Sequence, residues 1–150
     1  MAEMTARAVL NHLIETCRDG ETGFRDAAAH VGDPQLKALF LDIASQRAGF
    51  VAKLMPHAER LGGDSAADGT KAAALHRGWM HIKGLLSHDS DHAIVVEAER
   101  GEHAALTAYK EAVAAMLPPD VRDIVEHQYA EIQKSHGRIQ AAESARRKHA

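Results

Sequence analysis

Apolar residues recur at spacings of three and four through four long stretches, the signature of helices with one buried face. The first stretch runs from about Thr5 to His30, with Leu10, Leu13, Ile14, Cys17, Phe24 and Ala28 facing inward. Gly20 and Gly23 weaken it by about 1 kcal/mol each but allow a close helix approach. Val31-Gly32-Asp33-Pro34 breaks the pattern: Gly32 suits a helix end, Asp33 an N-cap and Pro34 a first helical position. The second helix spans about Pro34 to Leu61, with Leu36, Leu39, Phe40, Ile43, Phe50 and Leu54 inward. Pro56 should kink or stop it.

Gly62 to Gly69 reads as a loop, and Thr70 to about Ser87 as a shorter helix carrying Trp79, Met80, Ile82, Leu85 and Leu86. The third long helix extends from about Asp91 to Leu117, with Ile94, Val95, Ala98, Ala105, Leu106, Tyr109, Val113 and Met116 inward. Pro118-Pro119-Asp120 forces a turn. The fourth runs from about Pro119 to the C-terminal region, with Val121, Ile124, Val125, Gln128, Ile132, Ser135, Ile139 and Ala142 inward. No alternating strand pattern appears in the sequence.

Short turns make helices one and two antiparallel neighbours, and likewise three and four. The segment between the pairs is about 30 residues, long enough to cross the length of a bundle. These features predict an all-α, ferritin-like four-helix bundle with a short fifth helix in the long crossover between helices two and three. An up-down-up-down bundle with an ordinary long loop is the alternative.

The length of 150 residues fits one domain, 1–150, with a proper core. Hydrophobic residues make up 45%, much of it alanine, and aromatics only 4%, which favours close helix packing over a sandwich or barrel. The net charge of −3 is mild and the charges are interspersed, so no nucleic-acid surface is expected. Arg146-Arg147-Lys148 reads as a solvated helix end. The single cysteine, Cys17, leaves no partner for an intramolecular disulfide and suits a buried thiol in a reducing compartment. No apolar run is long enough for a membrane helix and no signal peptide is visible, so a cytoplasmic location is expected.

Candidate chemistry lies inside the apolar stripes. Glu21 follows Cys17 by four and precedes Phe24 by three. Glu102 stands likewise between Ala98 and Ala105. Gln46 follows Ile43 by three and precedes Phe50 by four, and Glu131 does the same between Gln128 and Ser135. Measured from the turns, Glu21 and Gln46 differ in height by about 4.5 Å, as do Glu102 and Glu131. The spacing thus predicts a buried layer of one glutamine and three acids, one from each helix. Such a layer needs neutralising, by Arg18, Arg47 or Arg100 or by a divalent metal. Oxygen ligands suit Mn, Mg or Fe. A full di-iron site adds a histidine three residues after a glutamate on two helices, whereas here those positions are Gly49 and Lys134. Lys134 brings a charge that can stand in for one metal ion.

The two halves echo each other. Leu13-Ile14, Cys17 and Gly20-Glu21 parallel Ile94-Val95, Ala98 and Gly101-Glu102, and Gln46 parallels Glu131. Internal duplication and independent solution of the same packing both account for this.

The segments Leu13 to Arg25, Asp33 to Phe40, Leu75 to Met80, Glu99 to Glu102, Leu117 to Val121 and Tyr129 to Glu131 carry a resemblance. In them the chain resembles a bacterial ferritin-like four-helix-bundle family of unknown function, related to the YciE and YciF stress proteins. The resemblance implies the bundle and a homodimer, and brings no established reaction. It also places Glu21, Glu102 and Glu131 where active ferritin-like relatives hold metal-bridging or terminal carboxylates.

Other clusters read as scaffold. His136 is expected to flank the core beside Tyr129 and Ile132, and Glu99 with His103 forms an exposed pair. His76, His81, His88 and His92, with Asp89 and Asp91, are read as solvated residues around the crossover, with Trp79 and Met80 as its apolar plug. No catalytic triad, phosphate loop or dinucleotide fingerprint is present. The expected role is therefore a non-catalytic binding or stress-related bundle with a degenerate carboxylate cluster. The alternatives are an Fe or Mn carboxylate protein with oxidase- or peroxidase-type activity, and a structural dimer whose polar layer fixes helix register.

Overall fold

The computed structural model describes residues 5–62 and 90–148, which hold four helices and no strand. They are α1 (Ala6–His30), α2 (Pro34–Arg60), α3 (Ser90–Ala114) and α4 (Pro119–Lys148). The short helix expected over 70–87, with Trp79 and Met80, lies outside the described residues.

Local chemistry sets the helix ends. The Thr5 hydroxyl accepts from the Ala8 amide at 3.1 Å and starts α1. The Asp33 carboxylate accepts from the Gln35 amide at 2.8 Å and caps α2, with Pro34 in the first turn. α2 runs through Pro56 to Arg60 rather than stopping there. So close to the helix end, the proline forgoes only the one bond to the Ala52 carbonyl. α3 ends at Ala114, three residues earlier than the pattern predicts, because Pro118 disfavours helical backbone before it. Met116, expected inward, is consequently 79% exposed, while Leu117 turns into the core. Arg122 of α4 closes this end, donating from Nη1 to the Val113 carbonyl and from Nη2 to the Ala115 carbonyl, both at 3.0 Å.

Each helix has two main neighbours. α1 packs on α2 and α3, and α4 packs on those same two helices. At one end lie the N-terminal halves of α1 and α4 and the C-terminal halves of α2 and α3, joined by Leu10, Leu13, Leu54, Tyr109, Val121 and Val125. At the other end Phe24, Leu36, Phe40, Ile43, Ile94, Val95 and Ile139 meet. The helices therefore run up, down, down and up. The chain leaves α2 at one end of the bundle and begins α3 at the other. Each end is pinned by a polar contact. Arg60 of α2 meets Asp120 of α4 at 2.9 Å. At the opposite end the Asp91 carboxylate of α3 accepts from the amides of Gly32 and Asp33, at 2.8 and 3.0 Å. Between the two apolar clusters, at mid-height, the core is polar.

Candidate functional site

The polar layer draws on all four helices. α2 presents Arg47, four residues after Ile43 and four before Val51, on the buried stripe. α3 presents Glu102, four after Ala98 and three before Ala105, and α4 presents Ser135, three after Ile132 and four before Ile139. α1 contributes Gly20, whose missing side chain makes room for the guanidinium stem: a Cβ there would stand 3.6 Å from Arg47 Cγ.

Arg47 and Glu102 are 2% and 0% exposed, and Arg47 Nη2 stands 2.6 Å from Glu102 Oε1. The contact is a close ion pair rather than an aligned hydrogen bond. Arg47 Nη2 also donates to Ser135 Oγ at 3.1 Å, and Ser135 Oγ stands 2.7 Å from Glu102 Oε2, to which it donates. Arg47 Nε donates to Gln46 Oε1 at 3.1 Å. The Arg47 carbon Cζ lies 5.6 Å from the Phe24 ring centroid, within cation–π range. One buried charge is thus met by an opposite charge, a hydroxyl, an amide oxygen and an aromatic face, as burial of a charge demands.

A second chain of bonds adjoins the first. Tyr109 donates its hydroxyl proton to Gln128 Oε1 at 2.6 Å, and Cys17 Sγ lies 3.1 Å from the same hydroxyl. Gln128 Nε2 donates to the Phe50 carbonyl at 3.4 Å. Burial pushes the Cys17 thiol up to about 11, the Tyr109 hydrogen bond and the Arg47 charge offsetting only part of that. Burial likewise holds the Tyr109 phenol well above its ordinary range, with Cys17 adding to the effect. At neutral pH both groups are protonated, so this chain holds geometry and offers no nucleophile or base.

Of the four residues expected to converge, only Glu102 lies in the core. Glu21 is on the flank of α1, its side chain 29% exposed, and pairs with Arg25 at 2.9 Å. Glu131 is on the flank of α4, 32% exposed, with Lys134 at 3.4 Å. Gln46 is half-buried and reaches the layer only through Arg47. The displacement is one residue on two helices: Gly20 rather than Glu21 and Arg47 rather than Gln46 take the inward positions. Among the described residues no three His, Cys, Asp or Glu side chains are grouped to hold a metal ion. As arranged, the four expected ligands do not form a shell that fits an iron or manganese pair.

Arg47 was one of three arginines within sequence reach of the layer. The other two go elsewhere, Arg18 to Met55 Sδ at 3.5 Å and Arg100 to Glu97 at 2.6 Å. His136 is half-buried, as its place beside Ile132 suggests. His103 is exposed and Glu99 half-buried. His92, read as solvated, pairs instead with the nearly buried Glu143 at 2.7 Å, joining α3 to α4. His76, His81, His88 and Asp89 lie outside the described residues. No helix among the described residues is long and apolar enough to cross a membrane.

No functionally curated protein matches the chain. A family described as a domain of unknown function (DUF2383) matches residues 5–115, which span α1, α2, α3 and with them Gly20, Arg47 and Glu102. With the match covering most of its length, the chain belongs to the DUF2383 family.

Proposed function

We propose that the chain is a ferritin-like bundle of the cytoplasm that binds rather than catalyses, with the Arg47 guanidinium serving as the cation of its carboxylate layer in place of a metal. The observation that carries this reading is the 2.6 Å approach of Arg47 to Glu102 in the core. A fixed positive charge there supplies the neutralisation that a metal would otherwise give, without redox chemistry. The up-down-down-up course of the helices supports the ferritin-like part of the reading. The high proton affinities of Cys17 and Tyr109 support the non-catalytic part.

The test is elemental analysis of protein purified after growth with added iron and with added manganese, together with assays of ferrous oxidation and peroxide consumption. The expected result is metal well below one ion per chain and no turnover. Stoichiometric iron or manganese, or turnover that Arg47→Ala abolishes, overturns the proposal.

A further inference from the structure

Between α1 and α3 lies a groove of about 320 Å³, in the size range of small-molecule sites. Arg47 forms its floor, Thr16, Asp19 and Gly20 one wall, and Ala105 and Ala108 part of the other. The hydrogen bonds of Arg47 leave from Nε and Nη2. Nη1 makes none with the described residues, although the side chain is 2% exposed. A Cβ on Gly20 would stand 3.5 Å from Nη1, so the glycine leaves that nitrogen open toward the groove. A sheltered guanidinium N–H without an acceptor is costly, and the groove is where an oxygen would satisfy it.

Charge narrows the choice of oxygen. Glu102 already balances Arg47 on its far edge, and Asp19 and Glu111 line the groove. A bare anion would meet a matched cation and two like charges. A zwitterion suits both features, with its carboxylate on Nη1 and its ammonium beside Asp19. A carboxylate offers about four acceptor positions, so Asp19 can take an ammonium proton alongside its other contacts. Thr16 donates its hydroxyl proton to the His12 carbonyl at 2.8 Å, which leaves the oxygen free to accept.

We propose that this groove binds a free α-amino acid with an aliphatic side chain. Arg47 Nη1 holds the carboxylate, Asp19 and the Thr16 oxygen hold the ammonium, and the side chain lies along Ala105 and Ala108. The proposal deepens the binding reading above and rests on it. Metal content tests that reading, and ligand affinity tests this one, so the two fail separately.

The experiment is calorimetric titration of the full chain with L-leucine, N-acetyl-L-leucine and L-leucinamide, which carry both charges, the anion alone and the cation alone. L-leucine is expected to bind, with each derivative weaker by roughly tenfold or more. Gly20→Ala places a methyl in ordinary contact with Arg47 and covers Nη1. It is expected to abolish binding while the thermal midpoint stays level or rises. No binding of L-leucine at millimolar concentration overturns the proposal. So does N-acetyl-L-leucine binding as well as L-leucine, which would mark a plain anion site. Undiminished binding to Gly20→Ala, which would put the ligand elsewhere, also overturns it.

Discussion

The guanidinium of Arg47 and the carboxylate of Glu102 meet 2.6 Å apart where neither side chain has appreciable contact with water. Removing one partner strands the other charge in an apolar interior, which costs about 3 to 5 kcal/mol. Arg47→Ala should therefore lower the free energy of unfolding by that amount, measured by urea denaturation. Glu102→Gln keeps the shape and should cost less than Glu102→Ala. The double variant Arg47→Met, Glu102→Leu removes both charges and should recover most of the loss. Additive single and double effects would show that the two residues do not act as a pair.

The neighbouring bonds make a second prediction. Tyr109→Phe leaves Gln128 Oε1 and Cys17 Sγ without the hydroxyl that both contact. An acceptor stranded in the core costs about 1 to 3 kcal/mol. The Gln128→Leu, Tyr109→Phe double variant removes that stranded amide oxygen. Its loss of stability should be smaller than the sum of the two single losses, read from denaturation midpoints at matched slopes.

The helices were legible because their information is local. Thr5 and Asp33 cap, the proline at position 118 interrupts, and apolar residues return every three or four positions. The height of the polar layer was legible too, since Glu102 interrupts an otherwise apolar stripe. What failed was rotation about the helix axis. Glu21 and Gly20 both satisfy a three-and-four spacing between Cys17 and Phe24, and a small residue gives no sign that it faces inward. On α2, leaving Ala44 and Val51 out of the stripe turned its centre toward Gln46 and away from Arg47. A buried arginine is rare enough that spacing alone ranks a glutamine first. Only a partner on another helix, here Glu102, reverses that order, and such pairing is not encoded locally.

Alkaline pH should expose the cost of burying Cys17. The thiol rises from an ordinary value of 9.0 to about 11 in the folded chain. Between those values the unfolded chain has lost its proton and the folded chain has kept it, so the unfolded state binds fewer protons and stability falls as pH rises. The loss should approach about 3 kcal/mol by the upper end of the window. Tyr109, also raised, adds to the fall above its ordinary value of 10.0. Urea midpoints taken at intervals across this range should decline, and Cys17→Ala should decline less steeply. A native thiol that alkylates at neutral pH as fast as free cysteine would contradict the burial behind this prediction.

Asp91 should govern the end of the bundle where α3 begins. Its two carboxylate oxygens separately accept from the Gly32 and Asp33 amides, across a sequence distance that no local turn provides. These bonds satisfy two donors in the turn between α1 and α2 and fix the start of α3 against it. Asp91→Ala frees both amides, but they lie near the surface where water replaces the lost acceptor. The cost should accordingly be about 1 to 2 kcal/mol rather than the larger penalty expected at Arg47. Asp91→Asn retains one acceptor oxygen and should recover part of it. Hydrogen exchange separates this effect from general loosening: the Gly32 and Asp33 amides should lose protection in Asp91→Ala while those around Leu54 and Val125, at the opposite end, change only by the shift in global stability. Equal loss at both ends would mean that Asp91 acts on the whole bundle and not on this junction.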